Sequence, residues 1–68
     1  MKIKGTVEEG LYTELMDVEG DEFVVNFDFD GCATIKTKEL TYLKLTSEML
    51  RDLAYTTYIA DKKYENEL

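Results

Sequence analysis

The stretch Asn26-Phe27-Asp28-Phe29-Asp30-Gly31 carries side-chain oxygens at alternate positions followed by a glycine, as at the start of a calcium-binding loop. The pattern breaks at its twelfth position, where Thr37 stands in place of the bidentate Glu such a loop needs, and no helical segment flanks it. It reads instead as a strand running into a turn, and no metal is expected. Cys32 is next in the chain and is its one cysteine, which excludes an internal disulfide. A reactive thiolate needs a neighbouring base or cation, and the sequence has no His to supply one, so Cys32 reads as a small quiet side chain. Glu14 is the third candidate. Strand alternation puts it on an apolar face, where a carboxylate could act as an acid or base, but a functional acid normally comes with a partner and none is evident. No catalytic residue and no cofactor are expected, and the protein is not expected to be an enzyme.

The elements that hold these residues can be read from hydrophobic periodicity. The first two-thirds of the chain alternate apolar and polar residues and are broken at Glu9-Gly10, Gly20-Asp21 and Asp30-Gly31, the signature of antiparallel strands joined by tight turns. With Gly20-Asp21 as a two-residue loop, Val18 faces Phe23, Met16 faces Val25 and Glu14 faces Phe27. The same logic at Glu9-Gly10 pairs Val7 with Tyr12 and Ile3 with Met16. At Asp30-Gly31 a three-residue loop, Phe29-Asp30-Gly31 with Gly31 left-handed, pairs Val25 with Ile35 and Phe27 with Ala33. The expected core face is therefore Ile3, Val7, Tyr12, Met16, Val18, Phe23, Val25, Phe27, Ala33 and Ile35.

Residues 40–45 contain β-formers and are expected to give a short fifth strand or an extended lead. Thr46 suits an N-cap, Glu48 favours the positive end of a helix dipole, and residues 47–64 contain no Pro or Gly, so a helix is expected over about 47–64. Its apolar stripe is Leu50, Leu53, Ala54, Thr57, Ala60 and Tyr64. The tail from Glu65 is expected to fray. The architecture is a single α+β domain over 1–68: a four- to five-stranded antiparallel β-meander, at about 2–38 with the fifth strand at 40–45, covered by one C-terminal α-helix. The segment from Val25 to Leu43 joins a V-x-F strand, an Asp-Gly turn, an alternating strand and Leu40-x-x-Leu43. Over that segment, under a third of the chain, the sequence resembles the central hairpin of Tudor and other SH3-like barrels. The resemblance implies an alternative fold, an SH3-like small barrel with a C-terminal helix, and an adaptor module that binds a peptide or assembly partner through aromatic residues.

Charge is the feature that rises above background. The 68 residues hold fifteen Asp and Glu against eight Lys and Arg, a formal charge of −7, which argues against direct nucleic-acid binding. No apolar run is long enough to span a membrane, and Met1-Lys2-Ile3-Lys4-Gly5 lacks a signal peptide's apolar stretch, so a cytoplasmic protein is expected. Between Glu8 and Asp30 lie nine acids (Glu8, Glu9, Glu14, Asp17, Glu19, Asp21, Glu22, Asp28, Asp30) and no Lys or Arg. With the exception of Glu14, these acids are expected on the exposed sheet face and its turns. Carboxylates on a rigid sheet accept charge-assisted hydrogen bonds from Arg and Lys much as phosphate oxygens do. The expected partner is therefore a basic, nucleic-acid-binding protein, and the expected role is that of a non-enzymatic inhibitor or regulator. In size and acidity the chain is similar to the small DNA-mimic and host-takeover proteins of bacteriophages. Tyr55, Tyr58 and Ile59 lie off the expected helix stripe and suggest a self-association surface, giving a homodimer.

Overall fold

In a computed structural model that describes residues 1–38 and 42–67, four strands form one antiparallel sheet in the order β1-β2-β3-β4. They are β1 (Lys4–Thr6), β2 (Gly10–Met16), β3 (Glu22–Phe27) and β4 (Ala33–Thr37), and the helix α1 (Ser47–Glu67) comes after them. This is the expected α+β meander with a C-terminal helix. The sheet stays open, so the SH3-like barrel is not formed. Residues 42–45 are not in a strand, and the start of the expected fifth strand lies outside the described residues.

The β3–β4 hairpin has the expected register, Val25 opposite Ile35 and Phe27 opposite Ala33. Its loop is Phe29-Asp30-Gly31, closed by the Asp28 N–H donating to the Cys32 carbonyl at 2.9 Å, with Gly31 at φ +82°. The β2–β3 hairpin differs. Leu15, not Val18, faces Phe23, and Thr13, not Met16, faces Val25, a shift of three residues. An odd shift turns every β2 side chain to the other face. The cause is a longer turn: Asp17 to Asp21 close on each other through the Asp17 N–H and Asp21 carbonyl at 2.9 Å, leaving three residues between them where two were expected. β1 and β2 also pair in a different register, Lys4 with Tyr12 and Thr6 with Gly10. Here the turn is Val7-Glu8-Glu9, and the Glu9 N–H donates to Thr6 Oγ1 at 3.1 Å. Gly5 sits at φ +86° so close to the Gly10 carbonyl that a Cβ there would collide with it.

The core consequently differs from the expected one on β2. Leu11, Phe23, Val25 and Phe27 are buried against Ala60 and Tyr64, and Ile3, Val7, Leu15 and Leu53 pack around them. Each such large apolar side chain contributes about 1.5–3 kcal/mol relative to leaving it in water. Tyr12 is only half-buried, and Met16 and Val18 are exposed, all three contrary to expectation. Thr13 takes a core position and satisfies its hydroxyl by donating to the Lys2 carbonyl at 2.7 Å. Ala33 and Ile35 lie on the inner face as expected but are exposed, because α1 packs mainly over β3.

The Thr46 cap is as expected: its Oγ1 accepts from the Met49 N–H at 3.1 Å. The inward stripe is rotated from the expected one. Thr56, Ala60 and Tyr64 are buried with Met49 and Leu53 half-buried, whereas Leu50 and Ala54 are exposed. The helix runs on to Glu67 where fraying was expected, and Lys62 pairs with Glu65 at 3.1 Å in its last turns. It crosses the sheet obliquely. Asp52 lies 3.4 Å from the Met1 amino group at the β1 side, and nearer its end the Asp61 carboxylate stands beside Gly31 in the β3–β4 turn.

Candidate partner-binding surface

The topology sorts the acids between the two ends of the sheet. The β1–β2 turn, with Glu8 and Glu9, and the β3–β4 turn, with Asp30 and the flanking Asp28, share one end. Glu19, Asp21 and Glu22 occupy the other, about 20 Å away at about 3.3 Å per strand residue. Glu8, Glu9, Glu14, Glu19, Glu22, Asp28 and Asp30 are exposed, and Asp21 is half-buried.

Asp17 departs from expectation. It is 6% exposed, and its carboxylate is occupied by backbone donors. Oδ1 accepts from the N–H groups of Glu19 and Asp21 at 2.9 and 3.0 Å, and Oδ2 accepts from Lys44 at 3.1 Å. The Lys44 N–H does most to hold this carboxyl below the ordinary Asp range; burial opposes it, and the Asp21 and Glu19 bonds reinforce it. Asp17 therefore organises the turn and does not face solvent with the other acids. Asp17, Glu19 and Asp21 bring oxygens within 4.8 Å of one another, but those of Asp17 already serve three N–H groups.

The outer sheet face, away from α1, is mixed in charge where an acidic face was expected. The observed registers place Lys4, Glu14, Glu22, Asp28, Lys36 and Lys38 there, and the Glu14 carboxylate lies 3.5 Å from Lys4 Nζ. Glu14 thus points away from the core, opposite Val24, which removes the apolar setting that made it an acid–base candidate. A groove of about 410 Å³ runs over this face, where Val24 lies between Glu14 and Lys36, and Glu22 lies between Met16 and the Lys38 end of β4. Sequence reasoning missed it because the slipped β2 register turned Met16 inward; the alternation Tyr12-x-Glu14-x-Met16 was the available signal.

Cys32 is exposed beside the β3–β4 turn, and its N–H donates to Asp30 Oδ1 at 3.1 Å. The Asp30 charge and its hydrogen bond hold the thiol above its ordinary range, with burial and Asp28 adding to the effect, the opposite of what a nucleophilic thiolate needs. In the segment that matches a calcium-loop start, Asn26 is half-buried on the outer face, and Asp28 accepts from Thr34 Oγ1 at 3.4 Å. On the helix, Tyr55 and Tyr58 are 64% and 56% exposed, and Ile59 is half-buried. Lys62 Nζ lies 5.4 Å from the centre of the Tyr58 ring. No described helix is long and apolar enough to cross a membrane. Compared with known protein families, curated proteins and solved structures, the chain matches none.

Proposed function

We propose that the protein is a non-enzymatic regulator that occupies the basic, nucleic-acid-binding surface of another protein, using the carboxylates of its turns as stand-ins for phosphates. The observation that supports this reading is the exposure of seven of the nine acids between Glu8 and Asp30, most of them on or beside turns closed by backbone hydrogen bonds. Rigid presentation lowers the entropy lost on binding, and carboxylates so held give charge-assisted bonds to Arg and Lys. The two acidic ends, about 20 Å apart, suit a partner that normally tracks along a nucleic-acid backbone. The test is capture of basic proteins at low salt and then elution with duplex DNA. Release of the captured protein by DNA supports the role, and retention in the presence of excess DNA overturns it.

A peptide-adaptor role has the exposed Tyr55 and Tyr58 in its favour. A salt titration separates the two readings, since only the acidic contact loses affinity steeply as the screening length shortens from about 14 to about 4 Å between roughly 50 and 500 mM.

A further inference from the structure

β4 is an edge strand of unusual openness. All five of its residues are exposed, and none of the described residues pairs with its outer side. The Asp28 N–H bond to the Cys32 carbonyl makes those two a hydrogen-bonded pair, and such pairs recur at every second residue of an antiparallel ladder. Thr34 and Lys36 therefore direct their backbone groups to β3, while Ala33, Ile35 and Thr37 direct theirs to the open edge. Edges of this kind recruit another strand unless they are blunted by proline, a bulge, charged side chains or a covering segment. β4 has no proline or bulge, and its charged residue Lys36 sits on the outer face, leaving Ala33, Ile35 and Thr37 uncharged on the inner one.

We propose that β4 pairs antiparallel with β4 of a second copy, with Ile35 opposite Ile35 on the two-fold axis, to give a continuous eight-stranded sheet. Two observations select a second copy as the occupant. In this register the three outward-pointing residues of one strand meet those of the other, Ala33 against Thr37 and Ile35 against Ile35, so every edge N–H and C=O finds a partner. Charge complementarity is the second. The turn that leads into β4 carries Asp30, beside Asp28 at the end of β3, and the strand runs out through Lys36 and Lys38, so antiparallel self-pairing sets the basic end of one copy toward the acidic turn of the other. Lys36 of the second copy falls opposite Thr34, whose hydroxyl lies 3.4 Å from the Asp28 carboxylate, and Lys38 falls opposite Cys32, diagonal to Asp30. Asp28, Thr34, Lys36 and Lys38 share the outer face, where Lys38 of each copy lies across Cys32 from the other copy's Asp28 and the two Lys36 side chains flank the two-fold axis diagonally. On the inner face the two Ile35 side chains, each 47% exposed in the single chain, cover one another. The acidic β1–β2 and β2–β3 turns stay free for another protein.

Sedimentation and amide exchange test the pairing together. The wild type is expected to sediment at twice the monomer mass at high micromolar concentration. Exchange of the Ala33, Ile35 and Thr37 amides is expected to slow as concentration rises, while Thr34 and Lys36 are protected throughout. Ile35→Pro removes one outward N–H and spares the bonds to β3, so it should yield a folded monomer. Lys36→Glu with Lys38→Glu, and separately Asp28→Lys with Asp30→Lys, should each weaken self-association by about tenfold or more, and an equimolar mixture of the two variants should restore it. A wild type that stays monomeric overturns the proposal. So does a dimer whose Ile35 amide exchanges at a rate independent of concentration, which would move the contact to Tyr55 and Tyr58, and so does a charge-swapped mixture that fails to assemble.

Discussion

The Tyr64 hydroxyl donates to the Phe27 carbonyl at 2.8 Å, and at the same distance it accepts the N–H of Leu11, the residue facing Phe27 across β2 and β3. A helix side chain thus bridges two backbone groups of the sheet in a buried setting, where an unpaired donor or acceptor costs about 1–3 kcal/mol. Tyr64→Phe keeps the ring, including its edge contact with Phe29 at 6.2 Å, and removes only the bridge. Urea unfolding should show a loss of about 1–3 kcal/mol with an unchanged m-value.

Asp17 gives the stability a pH signature. Its folded-state pKa is depressed, so its contribution is fully present above the unfolded value near 3.8 and is lost as pH falls through the lower folded value. Asp17→Asn turns an acceptor oxygen into a donor that cannot serve Glu19, Asp21 and Lys44 together. The variant should melt well below the wild type at pH 6 to 7, and the gap should close progressively below about pH 3.8. A gap that holds constant down to pH 2 would show that the charge on Asp17 is irrelevant to the turn.

Phe27 is 3% exposed between the sheet and α1, so Phe27→Ala should cost about 3–5 kcal/mol, most of the stability of a domain this small. Met16→Ala, on the outer face at 58% exposed, should cost under about 1 kcal/mol. The contrast between the two melting temperatures checks which face of β2 is the core.

For partner binding, the informative substitutions are those that leave Asp17 and β4 alone. Glu9→Lys with Glu19→Lys reverses one exposed carboxylate at each end of the sheet. Binding to a basic partner should weaken by about tenfold or more, mainly through slower association. Glu65→Lys with Glu67→Lys, on the last helical turns and not in any of the three sheet turns, should change it less, since Glu65 already pairs with Lys62. Equal binding by both double variants would reduce the acidic turns to a solubility feature.

The difference between the readable and unreadable parts of this fold is local against distant control. The β3–β4 hairpin was legible because Gly31 and two flanking V-x-F and A-x-I runs settle both loop length and register within a dozen residues. The helix start was legible through Thr46, whose side chain caps its own turn. The β2–β3 register was not, because β2 offers apolar residues on both faces, Leu11 and Leu15 on one and Tyr12 and Met16 on the other. What decides between them is Asp17, whose carboxylate is captured in part by Lys44, 27 residues on. One warning was present in the sequence: the slipped register required Glu14 in the core, and the observed one places it beside Lys4. The candidate surface was legible as composition, since the acid run needs no register, but the assignment of individual acids to a face inherited the slip.

Both ends of the helix are fastened to the same strand pair, through Lys44 to Asp17 just before its start and through Tyr64 to Leu11 and Phe27 near its finish. The docked helix therefore stabilises one register of the hairpin and none of its alternatives. A β2 strand that zips in the wrong register carries Asp17 and Leu11 away from both fastenings at once, so the helix finds no anchorage and the misaligned hairpin gains nothing from docking. Registers that the apolar residues on both faces of β2 would also permit thus lose the helix's contribution, and the docked helix sets which face of the second strand is buried.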